Sequence, residues 1–376
     1  VVDDGVGDEA SIAANVEAGT AAISAGAIDA GVESLRTAVR LADRGTTAGL
    51  RISSRLALGE ALIHSLRGFD EEGTAVLHEA DEIARSQNDR AVMARARSEL
   101  GYVAFLRARY DRSEVWLRDA LELADGEPSR SAKAAMYLGS VESDRADYPA
   151  AIKFLEQAAE LARGAGERRQ ESYALAMLGR VDLLRSDLDA AIDRLDAAID
   201  LAEGDHWLSF LPWPQAMRGE VEILRNNLAD AERRLRQAFA RACQIGDPCW
   251  EGMAARGLAL VAEATGQTGR AFELLADARA RCNRLADPYV WLDGYILDAQ
   301  CELGRRHGHS ETERWIDTLR ELASRNGMRE LTVRALLHGA AFGRPGDGSA
   351  ATLLADQIEN SALAVLVHRL GRHIGA

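Results

Sequence analysis

The sequence predicts an all-α solenoid of about eight helical hairpins closed by a short C-terminal helical cap. Three observations carry that prediction. One amphipathic segment recurs at close to 40 residues, a glycine recurs at a set distance before it, and turn-forming residues punctuate the chain in step with both. A unit of that length is a single supersecondary element that buries its apolar face only by stacking on its neighbours.

The recurring segment reads LRTAVRLA from Leu35, LHEADEIA from Leu77, LRDALELA from Leu117 and LEQAAELA from Leu155. It continues as LDAAIDLA from Leu195, LRQAFARA from Leu235, LADARARC from Leu275 and IDTLRELA from Ile316. Successive starts lie 42, 40, 38, 40, 40, 40 and 41 residues apart. The first, fourth and usually seventh positions are apolar and the eighth is small, which places one buried stripe on an α-helix. Each copy is therefore expected to be the second helix of a hairpin. The hairpins fall near 10–45, 50–88, 91–126, 130–166, 168–204, 212–246, 248–286 and 288–326, giving an array over 1–325.

Upstream of these segments, Gly19, Gly101, Gly139, Gly179 and Gly219 stand 16 residues before the leading Leu, with Gly59 and Gly257 offset by two. Glycine inside a helix costs about 1 kcal/mol relative to Ala, so its recurrence predicts close approach of two helices. Val103, Val141, Val181 and Val221 follow two residues later and face the same seam. Asp111, Asp147 and Asp187 mark the turns inside hairpins, with Pro149 at a helix start. Gly126, Gly164 to Gly166, Gly204 and Asn326-Gly327 stop helices between hairpins, while Asp247-Pro248 and Asp287-Pro288 start them. Each helix of about 16 to 18 residues would be roughly 25 Å long. Beyond Arg325 the pattern decays into a capping region, 327–376, expected to hold a helix from Met328 to Phe342, a Gly343–Ser349 loop and two short helices.

Composition narrows the function. Charged residues are 28% and apolar residues 47% of 376, which fits a folded chain, and dominance of Ala and Leu favours helices over sheets. A net charge of -14 with no basic block argues against direct nucleic-acid binding. No apolar run reaches the length of a membrane span. Cys243, Cys249, Cys282 and Cys301 form no CxxC pair, and are expected to be reduced thiols of a cytoplasmic protein. The chain opens Val1-Val2-Asp3-Asp4 without an initiator Met, for which either an excised segment or a disordered start is expected.

The order of a small residue in the first helix, an acidic or aromatic turn, then Ala151, Leu155 and Ala158 resembles the tetratricopeptide repeat over about residues 10 to 325. The period here is longer than that family's usual 34. The resemblance implies a right-handed superhelix with a concave recognition groove. More narrowly, the stretch from Ile245 to Gly304 (IGDPCWEGMAARGLAL, then DPYVWLDGYILDAQCELGRRHGH) resembles the maltose-regulator-like helical-repeat sensor region of large bacterial LuxR-type and signalling-ATPase transcriptional regulators. That second resemblance implies sensing on behalf of ATPase or DNA-binding modules. Neither a phosphate loop nor an evident helix-turn-helix occurs in the chain.

The candidate binding residues fall in two rows. Tyr173 lies six residues before Gly179, Trp213 six before Gly219 and Trp250 seven before Gly257, and Trp291 opens the next first helix. Trp207 belongs to an aromatic, proline-bearing turn, Asp205 to Pro214. On first helices these rings form either a wall for an apolar or peptide ligand or staples between repeats. Directly after the packing glycines stand Tyr102, Ser140, Arg180 and Glu220, and two further on Glu142, Asp182 and Glu222. They read as the charged floor of a groove or as solvated helix surface. His307 and His309, with Cys301 one and a half turns earlier, have no third ligand at a diagnostic metal-binding spacing, and no catalytic motif or isolated acid pair stands out, so neither catalytic residue, metal nor cofactor is predicted. The expected function is a non-catalytic sensor or scaffold of a bacterial regulator, holding a peptide, partner protein or small inducer. A stand-alone peptide-sensing receptor or adaptor is the alternative, and an α-helical toroid enzyme with paired carboxylates is the third reading.

Overall fold

The computed structural model describes residues 4–65, 70–285 and 288–374, and within them every regular element is an α-helix. The chain folds as successive antiparallel pairs: α1 (Asp4–Ser24) with α2 (Ile28–Ala42), α3 (Ala48–His64) with α4 (Asp70–Ser86), and α5 (Arg90–Leu106) with α6 (Tyr110–Ala124). Next come α7 (Pro128–Asp144) with α8 (Tyr148–Ala165), α9 (Arg168–Leu184) with α10 (Leu188–Gly204), and α11 (Pro212–Leu224) with α12 (Leu228–Ile245). The series ends with α13 (Pro248–Ala264) on α14 (Thr268–Cys282) and α15 (Val290–His307) beside α16 (Thr312–Arg325). Three helices follow: α17 (Arg329–Ala341), α18 (Asp347–Ala355) and α19 (Ser361–Ile374).

Local chemistry sets the helix ends. The Asp147 and Asp247 carboxylates accept backbone N–H groups of Ala150 at 3.2 Å and Cys249 at 2.9 Å, satisfying donors that the first turn leaves free. Pro128 and Pro248 occupy first helical positions, where the missing N–H is no loss. Gly166 and Gly246 terminate α8 and α12 in the left-handed region at φ 76° and 77°, a conformation that suits glycine.

The glycine of the first helix and the leading Leu of the second form the contact inside the first six hairpins. A β-carbon added at Gly139 would meet Leu155 Cγ at 2.5 Å, and one at Gly179 would meet Leu195 Cγ at 2.6 Å. Gly257, offset by two in the sequence, instead makes room for Leu235 of the preceding hairpin.

The second helices bury only a stripe, such as Leu155, Ala158 and Ala162 of α8. The first helices α7, α9, α11, α13 and α15 are buried nearly all round. Consecutive first helices touch one another while consecutive second helices make no comparable contact, so the first helices line the inner side of the curve. Side-chain bonds also cross that inner space. Tyr148 donates to Glu330 at 2.5 Å, Arg329 to the Arg145 carbonyl at 2.8 Å, and Asn360 to the Leu184 carbonyl at 3.1 Å. The array therefore curls until α17 and the start of α19 meet the C-terminal ends of α7 and α9.

Candidate functional site

The inner face of the first helices carries two groups of aromatic and charged side chains. The first is a column of rings. His64 stacks on Tyr102 with centroids 5.1 Å apart, Tyr102 on Tyr137 at 4.6 Å, and Tyr137 meets Tyr173 edge-on at 5.9 Å. Tyr173 stacks on Phe210 at 5.6 Å, and Phe210 on Trp207 at 4.3 Å. Each hairpin from α3 to α9 supplies a ring nearer the start of its first helix than the last, so the column runs diagonally across the inner wall.

Charged groups border this column. Glu99 is fully buried beneath it, yet Lys133 donates to one carboxylate oxygen at 2.7 Å and His64 Nε2 lies 2.7 Å from the other. Burial opposes ionisation of Glu99, but attraction to Lys133 and then His64 outweighs it and holds the carboxyl well below the usual range. His64 and Lys133 keep 36% and 25% of their side chains open to solvent, so the cluster is buried at its base and reachable at its tip. Arg95 and Glu60 pair beside it at 2.5 Å on the same wall.

The second group fills the inner space further along. The Arg180 guanidinium, wholly buried, donates to Asp144 at 2.6 Å, Ser143 Oγ at 2.6 Å and the Tyr289 hydroxyl at 2.8 Å, and lies 4.2 Å from the Trp291 ring centre. Tyr110 and Tyr289 donate to Asp144 at 3.0 and 3.1 Å. Burial pushes the Asp144 carboxyl up against the pull of Arg180. Glu220 accepts from Arg256 at 2.6 Å and from the Tyr295 hydroxyl at 2.8 Å. These bonds tie α6, α7 and α9 to α15, far apart in sequence.

The aromatic residues singled out from the sequence thus separate into two places. Tyr173 and Trp207 belong to the inner column through Phe210. Trp213 packs on Trp250 at 4.9 Å and meets Tyr289 at 6.4 Å, and Trp291 stacks on Tyr289 at 5.9 Å. These three indoles are 2%, 9% and 3% exposed, so they lie among the side chains that occupy the inner space.

The polar row separates too. Tyr102, Arg180 and Glu220, directly after the glycines, point inward. Asp182 and Glu222, two positions further on, are rotated by about 200° and meet Arg194 at 3.1 Å and Asn227 at 2.7 Å. Burial pushes Asp182 up to about 6 despite Arg194. Its folded value is raised, so its ionisation opposes folding, and stability falls as pH rises from about 4 to 7. Asp182→Asn is expected to flatten that part of the urea-midpoint against pH curve, gaining on the order of 1 to 3 kcal/mol at pH 7 relative to pH 4. Parallel curves for both proteins would contradict it.

The sequence reading did not single out His64, Glu99, Lys133, Tyr137 or Phe210. A faint signal existed: His64, Glu99 and Lys133 succeed one another at 35 and 34 residues on consecutive first helices, and Lys133 is one of two lysines in the chain. Among the described residues no three metal-ligating side chains converge. Cys301 is fully buried, and His309 stacks on Trp315 at 4.7 Å. No described helix is long and apolar enough to cross a membrane.

Comparison with known proteins agrees with this geometry. A tetratricopeptide repeat family model matches residues 130–204, which span α7 to α10. The crystal structure of a Rap protein complexed with Competence and Sporulation Factor superposes with TM-score 0.66 at 12% identity, covering 97% of this chain and 99% of that one. Aspartyl phosphate phosphatase F from Bacillus subtilis superposes with TM-score 0.52 at 12% identity, covering 96% of each. No curated protein matches the chain by sequence. At such identities the likeness is one of fold, and with the repeat match over 130–204 and the stacked hairpins it leads to one conclusion: the chain folds as a tetratricopeptide-like helical-repeat solenoid.

Proposed function

We propose that this chain is a non-catalytic receptor for a peptide or protein segment, held on the inner wall of α3, α5, α7 and α9. The observation that carries this reading is the column of rings from His64 to Trp207, bordered by Glu60, Arg95 and Lys133 where they reach solvent. The part-exposed rings of His64, Tyr173 and Trp207, seated on the buried Tyr102, Tyr137 and Phe210, take apolar side chains of an incoming segment, and the flanking charges fix its direction and register. Stacked repeats present extended concave surfaces suited to such ligands. That a Rap protein of similar fold was crystallised with Competence and Sporulation Factor supports the reading. The buried acids support a non-catalytic role, since Asp144, Glu220 and Glu330 are each engaged by Arg or Tyr donors and are poorly placed to shuttle protons. The resemblance of residues 245–304 to regulator sensor regions supports a place beside ATPase or DNA-binding modules of a bacterial regulator.

The test is selection of a displayed random-peptide library on the whole chain, followed by affinity measurements on an Arg95→Gln/Trp207→Ala variant, whose side chains both reach solvent. Selected peptides are expected to lose at least about tenfold in affinity, while the variant's melting temperature stays within a few degrees of the parent. Equal affinities for parent and variant would overturn the inner-wall assignment.

A further inference from the structure

The charge pairs of this solenoid do not all face solvent in the same order. On the inner wall the cation stands outside its acid. Arg95 is 49% exposed and its partner Glu60 22%, and the same order holds for Lys133 over Glu99 and for Arg169 over Asp205. Pairs such as Arg55 with Asp43, which reach from first helices toward the second helices, are reversed. Arg55 is 5% exposed against 47% for Asp43, and Arg218 with Asp196 repeats that order. In a chain of net charge -14, the inner wall is thus a place where cations are presented ahead of their acids.

The acids of this wall are engaged as well as recessed. Glu99 lies fully buried between Lys133 and His64, each at 2.7 Å, and Glu60 accepts from Arg95 Nε and Nη2 at 2.5 and 2.6 Å. A carboxylate arriving from the groove meets N–H donors first, whereas an arriving ammonium meets like charge first. Beyond Lys133 the wall changes from charge to rings. Tyr173 on α9 and Trp207 before α11 are half-buried, and both stack on Phe210.

We infer that the ligand of the inner wall is a peptide segment both acidic and apolar, with side-chain carboxylates on Arg95 and Lys133 and an aromatic or branched side chain on Tyr173 and Trp207. This rests on the function proposed above and adds the ligand's charge and spacing. Neighbouring packed helices lie about 10 Å apart, and an extended chain rises about 3.3 Å per residue. Tyr173 stands one first helix beyond Lys133, and Trp207 lies one hairpin further. The acidic and apolar residues of the segment therefore fall about three to six positions apart.

The experiment titrates the whole chain with the capped fluorescent octapeptides EESGSFLS, QQSGSFLS and KKSGSFLS. EESGSFLS is expected to bind at least about tenfold more tightly than either of the others, by a margin that narrows as salt rises. Arg95→Gln is expected to bring the Glu and Gln peptides within about threefold of each other, while Trp207→Ala weakens both by one common factor. Both side chains reach solvent, so each variant keeps a melting temperature within a few degrees of the parent. Equal affinities for all three peptides, lowered together by Trp207→Ala, would overturn the acidic ligand and leave the inner wall standing. A preference for Glu that survives Arg95→Gln overturns the inference too, because the acid then sits elsewhere. Absence of EESGSFLS binding at about 1 mM also overturns it, and the library selection described above then decides the inner wall separately.

Discussion

Arg180→Met is expected to lower the unfolding free energy by about 3 to 5 kcal/mol, because it strands the Asp144 carboxyl where no water replaces the lost partner. The guanidinium makes four polar or ring contacts in the inner space, to Asp144, Ser143, Tyr289 and Trp291, and none is accessible to solvent exchange. Breaking one side of a buried pair costs more than deleting both. Arg180→Met/Asp144→Leu is therefore expected to recover most of the loss, with the urea midpoint at pH 7 as the measurement. A single variant within about 1 kcal/mol of the parent would show that the pair contributes no more than a surface salt bridge.

The second large effect lies at the hairpin seam. Gly139→Val is expected to destabilise by about 3 kcal/mol, the upper part of the range for overpacked cores. The added atoms fall on Leu155 Cγ at 2.5 Å and the Ala151 carbonyl oxygen at 3.1 Å, and backbone cannot retreat as a flexible side chain can. Gly164→Ala, near the end of α8 with nothing within 4 Å, is expected to leave stability unchanged or raise it by up to about 1 kcal/mol. Thermal and urea unfolding of both variants check the pair of outcomes, and equal responses would remove the close-approach explanation for the repeated glycine.

What the sequence made legible follows from which interactions are local. The second helices keep a polar outer face, so Leu155, Ala158 and Ala162 stand out as a stripe with helical spacing. The first helices have no polar face to contrast with, being buried nearly all round, and periodicity could not say which of their residues point inward. Arg180 and Glu220 could be marked as unusual by their place next to a packing glycine. That Arg180 also meets Tyr289 could not, because a repeat pattern specifies neighbours and this partner is 109 residues away. The aromatic row was misled by one connection. The turn between α10 and α11 places Phe210 against Tyr173, so Trp213, although six residues before its glycine as Tyr173 is, turns instead to Trp250.

The same geometry explains why the inner surface is uneven. Toward α15 and α17 the interior is taken up by Arg180, Trp291, Tyr289 and Glu330, and the cleft beside Tyr148 has room for about one water molecule. Toward α3 and α5, His64, Arg95 and Lys133 still reach solvent. On the function proposed above, recognition falls to the N-terminal hairpins, whose inner wall reaches solvent, while the interior of the later ones is filled by side-chain bonds.

Hydrogen exchange of the chain with and without a library-selected peptide tests that assignment most directly. Slowed exchange confined to α3, α5, α7 and α9 is the predicted result, whereas protection restricted to second helices, or spread over α11 to α17 while those four stay unchanged, would contradict it.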